Sequence, residues 1–197
     1  GPLALSDWDG DGDLDLFVGG RVIPGGYPQS ASSRFLRNNG HGQFELDATN
    51  TGVVRGIGMI SAATFADVDA DADLDLIVGA ANGQDLNNLL YWRNDGTPAA
   101  ASFTLVTQNL LSDIDEGSFS VPALADLDND GDLDALVGRG DGKLSYYQNV
   151  GTAFVPSWQR ISTAYLGINA GLSAAPELTD WDNDGDLDML LGTEAGR

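Results

Sequence analysis

DWDGDGDLD, residues 7–15, places five aspartates in nine positions, separated by Trp8, Gly10, Gly12 and Leu14. Carboxylates this close repel one another by about 1–4 kcal/mol per pair at effective dielectrics between bulk water and a protein surface, so the stretch is strained unless a positive charge sits among them. The pattern returns as DVDADADLD (67–75), DLDNDGDLD (126–134) and DWDNDGDLD (180–188). Four occurrences exclude a local accident.

Working outward, the loop-opening aspartates Asp7, Asp67, Asp126 and Asp180 are spaced by 60, 59 and 54 residues, and each loop runs into a short apolar stretch: LFVGG, LIVGA, ALVGR, MLLGT. Such runs, ended by glycine, read as buried strands. Aromatic or large apolar residues then lead into an Asn-x-Gly turn at RFLRNNG (34–40), LYWRNDG (90–96) and SYYQNVG (145–151), the signature of a strand entering a hairpin. Beyond the turns lie FEL from Phe44, FTLV from Phe103 and FVPSW from Phe154. MISAATFA, FSVPALA and LSAAPELT precede the last three loops. Each repeat therefore offers four short strands, here lettered A before the acidic loop, B after it, C before the Asn-x-Gly turn and D after it. No stretch shows convincing helical periodicity, which disfavours a βα solenoid. Four-stranded units at this period are β-propeller blades, and the expected fold is all-β.

The approximate repeats are 1–58, 59–118, 119–171 and a partial 172–197, one segment spanning residues 1–197. Three blades and a half fall short of the four that ring closure needs, which leads us to expect a larger parent chain or self-association.

Composition agrees with a globular, turn-rich chain: 197 residues, 42% hydrophobic, 26 glycines. The net charge of −21 is concentrated, because the four stretches hold 20 of the 30 acidic residues and the remaining ten face nine lysines and arginines. This acidity points away from nucleic acid and belongs to four sites. The absence of cysteine excludes disulfides, thiolate metal sites and a cysteine nucleophile. No run approaches 18 apolar residues, so no membrane-spanning helix is expected.

In D-x-D-x-D-G-x-x-D, side chains at loop positions 1, 3, 5 and 9 converge while position 7 offers its carbonyl and glycine at 6 permits the sharp turn. An all-oxygen donor set selects a hard cation, and the number of donors favours calcium over magnesium. The loop is not an EF-hand: position 12 holds Val18, Val78, Val137 or Leu191 instead of the bidentate glutamate. An acidic turn without metal is the plainer reading of one such loop, but not of four in register.

The unit L-x-D-x-D-x-D-G-D-L-D-L-x-V-G followed by R-N-N-G-x-G-x-F closely resembles the FG-GAP/VCBS repeats of integrin α-subunit propellers, cartilage acidic protein and many exported bacterial proteins. The resemblance covers nearly the whole chain. It implies calcium in each A–B loop, up to four ions, and an extracellular or cell-surface location. The implied ligands are Asp7, Asp9, Asp11, Asp13 (carbonyl) and Asp15; Asp67, Asp69, Asp71, Asp73 (carbonyl) and Asp75; Asp126, Asp128, Asp130, Asp132 (carbonyl) and Asp134; and Asp180, Asp182, Asp184, Asp186 (carbonyl) and Asp188. The second loop departs from the pattern with Ala72 at the glycine position. The family includes adhesion receptors, lectins and propeller-type polysaccharide lyases, so the resemblance leaves function open.

No G-x-S-x-G, H-E-x-x-H or P-loop pattern occurs, and the only histidine, His41, sits in a turn. Loop carboxylates held ionised by a cation cannot serve as general acids. Arg21, Arg55, Arg139 and Lys143 are left as lyase candidates by elimination, with surface ion pairing their plainer role. We expect a non-catalytic module for extracellular binding or adhesion, with a lyase, another carbohydrate-active enzyme or a lectin as alternatives. B–C loops emerge on the face away from the acidic loops and differ between repeats, so contacts to a protein or glycan ligand are expected in residues 19–33 and 79–88, at Arg21, Tyr27, Asn82 and Gln84. The RGD at 139–141 reads as a chance tripeptide in a Gly-rich turn, and Trp8, Trp92, Trp158 and Trp181 as blade-packing residues.

Overall fold

Each repeat folds into an antiparallel meander in which strands adjacent in sequence are adjacent in the sheet. The computed structural model describes residues 1–26, 31–80, 89–97, 100–111 and 119–194. The first blade is β1 (Leu3–Ser6), β2 (Asp15–Val18), β3 (Arg34–Asn38) and β4 (Phe44–Asp47). The second is β5 (Ile60–Ala66), β6 (Asp75–Ala80), β7 (Leu89–Asn94) and β8 (Phe103–Thr107). The third is β9 (Val121–Ala125), β10 (Asp134–Gly138), β11 (Leu144–Asn149) and β12 (Trp158–Ser162). A hairpin of β13 (Ala175–Thr179) and β14 (Asp188–Gly192) supplies strands A and B of a fourth. The A strands β1, β5, β9 and β13 contact one another in succession, so they form the hub and the C and D strands lie outward. This is a stack of propeller blades, as the repeat implied.

Alternation along the strands makes the core. All six residues of β6 are buried: Leu76 and Val78 face the first blade, whereas Ile77 faces the third. On β7, Leu90 and Trp92 turn toward the first blade, Leu89 and Tyr91 toward the third. The first interface joins these to Trp8, Phe17 and Phe35, with Phe35 stacked on Phe103 at 4.8 Å and Trp8 stacked on Phe65 at 5.3 Å. The second joins Val68, Ile77 and Tyr91 to Ala135, Val137 and Tyr147. Burying each large apolar side chain contributes about 1.5–3 kcal/mol relative to leaving it in water, so the interfaces between blades hold the stack together.

The glycine that closes strand B has a packing reason. A Cβ at Gly79 would lie 1.9 Å from the Ser120 carbonyl oxygen, and one at Gly138 would lie 2.1 Å from that of Ala174. The next blade's A strand thus begins against the end of the previous B strand. Ile60 N–H donates to the Gly20 carbonyl at 2.9 Å and Ala174 N–H to that of Arg139 at 3.0 Å. Every A strand therefore starts on the side of the B–C connections, and all four A–B loops emerge on the opposite face.

Two local expectations need correction. A six-residue helix, α1 (Ala48–Val53), follows β4: the Asp47 carboxylate accepts the Asn50 N–H at 3.0 Å, and the Asn50 amide donates to Asp47 at 2.9 Å and to the Ala101 carbonyl at 3.0 Å. It is too short to show a 3.6-residue period, and its cap and its anchor on the second blade stabilise it. The third D strand begins at Trp158, not Phe154. Pro156 cannot donate to a ladder, and Thr152 and Val155 instead close a tight bridge with each other.

Candidate metal centres

Each acidic loop is held by its own backbone. The position 1 carboxylate accepts N–H bonds from positions 5 and 6, at 3.1 and 3.0 Å from Asp11 and Gly12 to Asp7, and the other three loops repeat this. The position 5 carboxylate accepts from the position 7 N–H. Position 6 takes a left-handed conformation throughout: φ is 92° at Gly12, 74° at Ala72, 93° at Gly131 and 95° at Gly185. Position 4 does the same at Gly10, Ala70, Asn129 and Asn183. The sequence reading missed this second left-handed position, although Gly, Asn and Asn at three of the four sites carry the signal. Only the second loop places alanine at both.

Position 9 ties the loop to strand C. Asp15, Asp75 and Asp134 each accept, at 2.8 Å, the backbone N–H of the asparagine ending strand C: Asn38, Asn94 and Asn149. The sequence assigned these asparagines to the turn alone. Their side chains serve it too, Asn94 accepting from Gly96 and Ser102 and Asn149 from Gly151 and Ser157. Asp75 also accepts from the Tyr91 hydroxyl and Asp134 from that of Tyr146, each at 3.0 Å. In the first blade Phe35 stands at the tyrosine's place, and Asp15 Oδ2 is buried without a hydrogen-bond partner.

The structure brings together three carboxylates per loop, with one oxygen of each within 4.8 Å of the others: Asp7, Asp9 and Asp15; Asp67, Asp69 and Asp71; Asp126, Asp128 and Asp130; Asp180, Asp182 and Asp188. The choice of third member follows the tyrosine. Where a hydroxyl engages position 9, position 5 completes the trio; where none does, position 9 joins it. Asp11, Asp13, Asp73, Asp75, Asp132, Asp134, Asp184 and Asp186 fall outside the trios. Asp9 Oδ1, Asp15 Oδ2, Asp69 Oδ1 and Asp132 Oδ1 are buried acceptors lacking a hydrogen-bond partner, and Asp9 and Asp15 are only 5% and 0% exposed. Buried carboxylate oxygens without donors are costly unless a cation satisfies them, so the loops fit a metal ion.

Burial raises the carboxyl pKa of Asp15 and of Asp75 to about 6, against the lowering pull of the Asn38 and Asn94 N–H bonds. Burial, then the neighbouring position 5 carboxylate, raises Asp9, Asp69 and Asp132. The Tyr91 and Tyr146 hydroxyls are pushed up by burial and by the carboxylates they contact, which keeps them protonated donors.

A family profile for the FG-GAP-like repeat matches residues 7–78, 67–137 and 126–191, nearly the whole chain. The chain belongs to the FG-GAP-like repeat family. Each FG-GAP-like unit runs from position 1 of one acidic loop to position 12 of the next, so the family's unit includes two loops and the strands between them. No curated protein matches the chain.

The remaining candidate residues of this FG-GAP-like chain separate cleanly. Arg139 and Asp141 of the RGD pair with each other, at 3.1 Å from both Nε and Nη2, and Lys143 joins Asp141 at 3.7 Å. His41 is exposed in its turn. Arg21 is exposed on the B–C side, its guanidinium 5.6 Å from the centroid of Phe119. Tyr27, Asn82 and Gln84 lie outside the described residues. Trp8, Trp92 and Trp158 pack between blades, whereas Trp181 is 69% exposed because no described strand covers that side of β14. No helix among the described residues is long and apolar enough to cross a membrane.

Proposed function

We propose that the chain is a calcium-stabilised, non-catalytic β-propeller module for binding or adhesion in an extracellular setting. The observation that carries this reading is the fourfold recurrence, on one face, of a carboxylate trio within 4.8 Å, with buried donor-free oxygens in three of the loops. Calcium would supply the positive charge and flexible oxygen coordination that these carboxylates need. Asp7, Asp9 and Asp15, and the carboxylate trios of the other three loops, would hold it, with the backbone carbonyl of position 7 as a further donor. The use of the acidic side chains in the loops themselves supports the non-catalytic assignment. Recognition belongs to the opposite face, where the unlike B–C connections around Arg21 emerge.

Isothermal calorimetry of the chain with calcium, in excess magnesium, tests the metal assignment: saturable heat is expected, and its absence overturns calcium as the ion. Formation of unsaturated products from pectic polymers would overturn the non-catalytic assignment.

A further inference from the structure

The residue immediately before the strand C asparagine faces position 3 of the acidic loop in its own blade, and its charge differs between blades. In the first blade Arg37 Nη1 lies 3.5 Å from Asp9 Oδ2, while Nε lies 3.7 Å from Asp47. In the second, Arg93 and Asp69 line one groove and attract each other, with Arg93 Nε also bonded to Asp95 at 2.6 Å. In the third the position belongs to Gln148, a neutral donor whose amide bonds Asp128. The blades thus provide three versions of one site: the same loop, the same strand, and a counter-charge present twice and absent once.

We propose that this strand C residue sets the calcium affinity of the adjacent loop, the arginines weakening the first and second sites and Gln148 leaving the third the tightest of the three. The inference rests on the calcium reading above. A guanidinium beside position 3 acts with opposite sign in the two states of the loop. Without metal it offsets repulsion among aspartates and stabilises the fold. With a divalent cation on the same carboxylates it becomes a like charge a few ångströms away, and it competes for Asp9 or Asp69. Gln148 orients Asp128 by a hydrogen bond and adds no charge. For a half-exposed side chain the screened repulsion between one positive charge and a divalent ion corresponds to roughly a threefold to tenfold change in affinity. The second loop carries the further handicap of alanine at both left-handed positions, so the order of filling is third, first, second.

Calcium titration of the full chain, followed at the backbone amides of Gly12, Ala72 and Gly131, resolves the three loops, because each of these N–H groups donates to its own position 1 carboxylate. Arg37→Gln is expected to move the first midpoint to threefold to tenfold lower calcium, to leave the third unchanged, and to lower the melting temperature of the metal-free protein. Arg37→Lys should match the native chain. Gln148→Arg should do the reverse at the third site, weakening calcium while raising metal-free stability. A purely structural role would move both readouts the same way. Native binding with midpoints unmoved by Arg37→Gln and Gln148→Arg overturns this inference and leaves the calcium reading intact. No calcium response in the native chain overturns both.

Discussion

Ala72 and Ala70 make the second acidic loop the one most at odds with its own backbone. A Cβ in the left-handed region costs about 1–2 kcal/mol, and the glycines at the same place in the other three loops have open space where a Cβ would sit, so the penalty is conformational and not a clash. Ala72→Gly is therefore expected to stabilise the protein by about 1 kcal/mol, measured by chemical denaturation, and to tighten calcium at that loop. Asp15 and Asp75 give a second residue-level expectation. Their folded pKa values of about 6 exceed the ordinary 3.8, so the metal-free native state holds more protons than the unfolded chain between about pH 4 and 6. Metal-free stability should therefore fall as pH rises through that window. With calcium bound the carboxylates are held ionised and the sign reverses, stability falling as pH falls. Melting temperatures of dialysed and calcium-loaded protein across this range should slope in opposite directions; parallel slopes would contradict the assignment of these two groups.

At the scale of strands and loops, the sequence disclosed what depends on short patterns. Strands B and C were legible because apolar runs stop at glycine or asparagine, and the acidic loops because their spacing repeats. What stayed hidden depends on tertiary partners. The helix α1 exists through Asn50 bridging Asp47 and Ala101 across two blades, and no local pattern encodes a contact 51 residues away. The delayed start of β12 is legible in Pro156, whose missing N–H outweighs the β-favouring residues around it. The bond from Asn94 N–H to Asp75 was invisible because it uses backbone, whose partner no side chain identifies. The glycine closing strand B marks the strand's end in the sequence, and the structure shows it to be a spacer between blades. Gly138→Ala would force a Cβ onto the Ala174 carbonyl, and a loss of about 1–3 kcal/mol or more is expected by thermal or chemical denaturation. A neutral outcome would mean that the hub is looser than its hydrogen bonds imply.

For the whole molecule, the proposed calcium sites would add to the apolar packing between blades. With Kd on the order of 10⁻⁴ M and roughly millimolar calcium, each site adds about 1.4 kcal/mol, and four add roughly 5–6 kcal/mol. Typical domain stability is about 5–15 kcal/mol, so a chelator should lower the melting temperature substantially; an unchanged transition would sink the structural role of the metal. The two sides of a blade have a consequence of another kind. Because the second blade turns Leu76, Val78 and Trp92 one way and Ile77, Leu89 and Tyr91 the other, its faces are unlike surfaces, and the stack has a head and a tail. Successive blades therefore join head to tail, by a heterologous contact. Duplicating or deleting one whole repeat therefore changes the number of blades without requiring a new kind of interface, whereas shifting a strand by a single residue would exchange the two faces of its blade. The heritable unit of change in such a protein is the complete repeat, and the alternation of side chains along β6 and β7 is what enforces it.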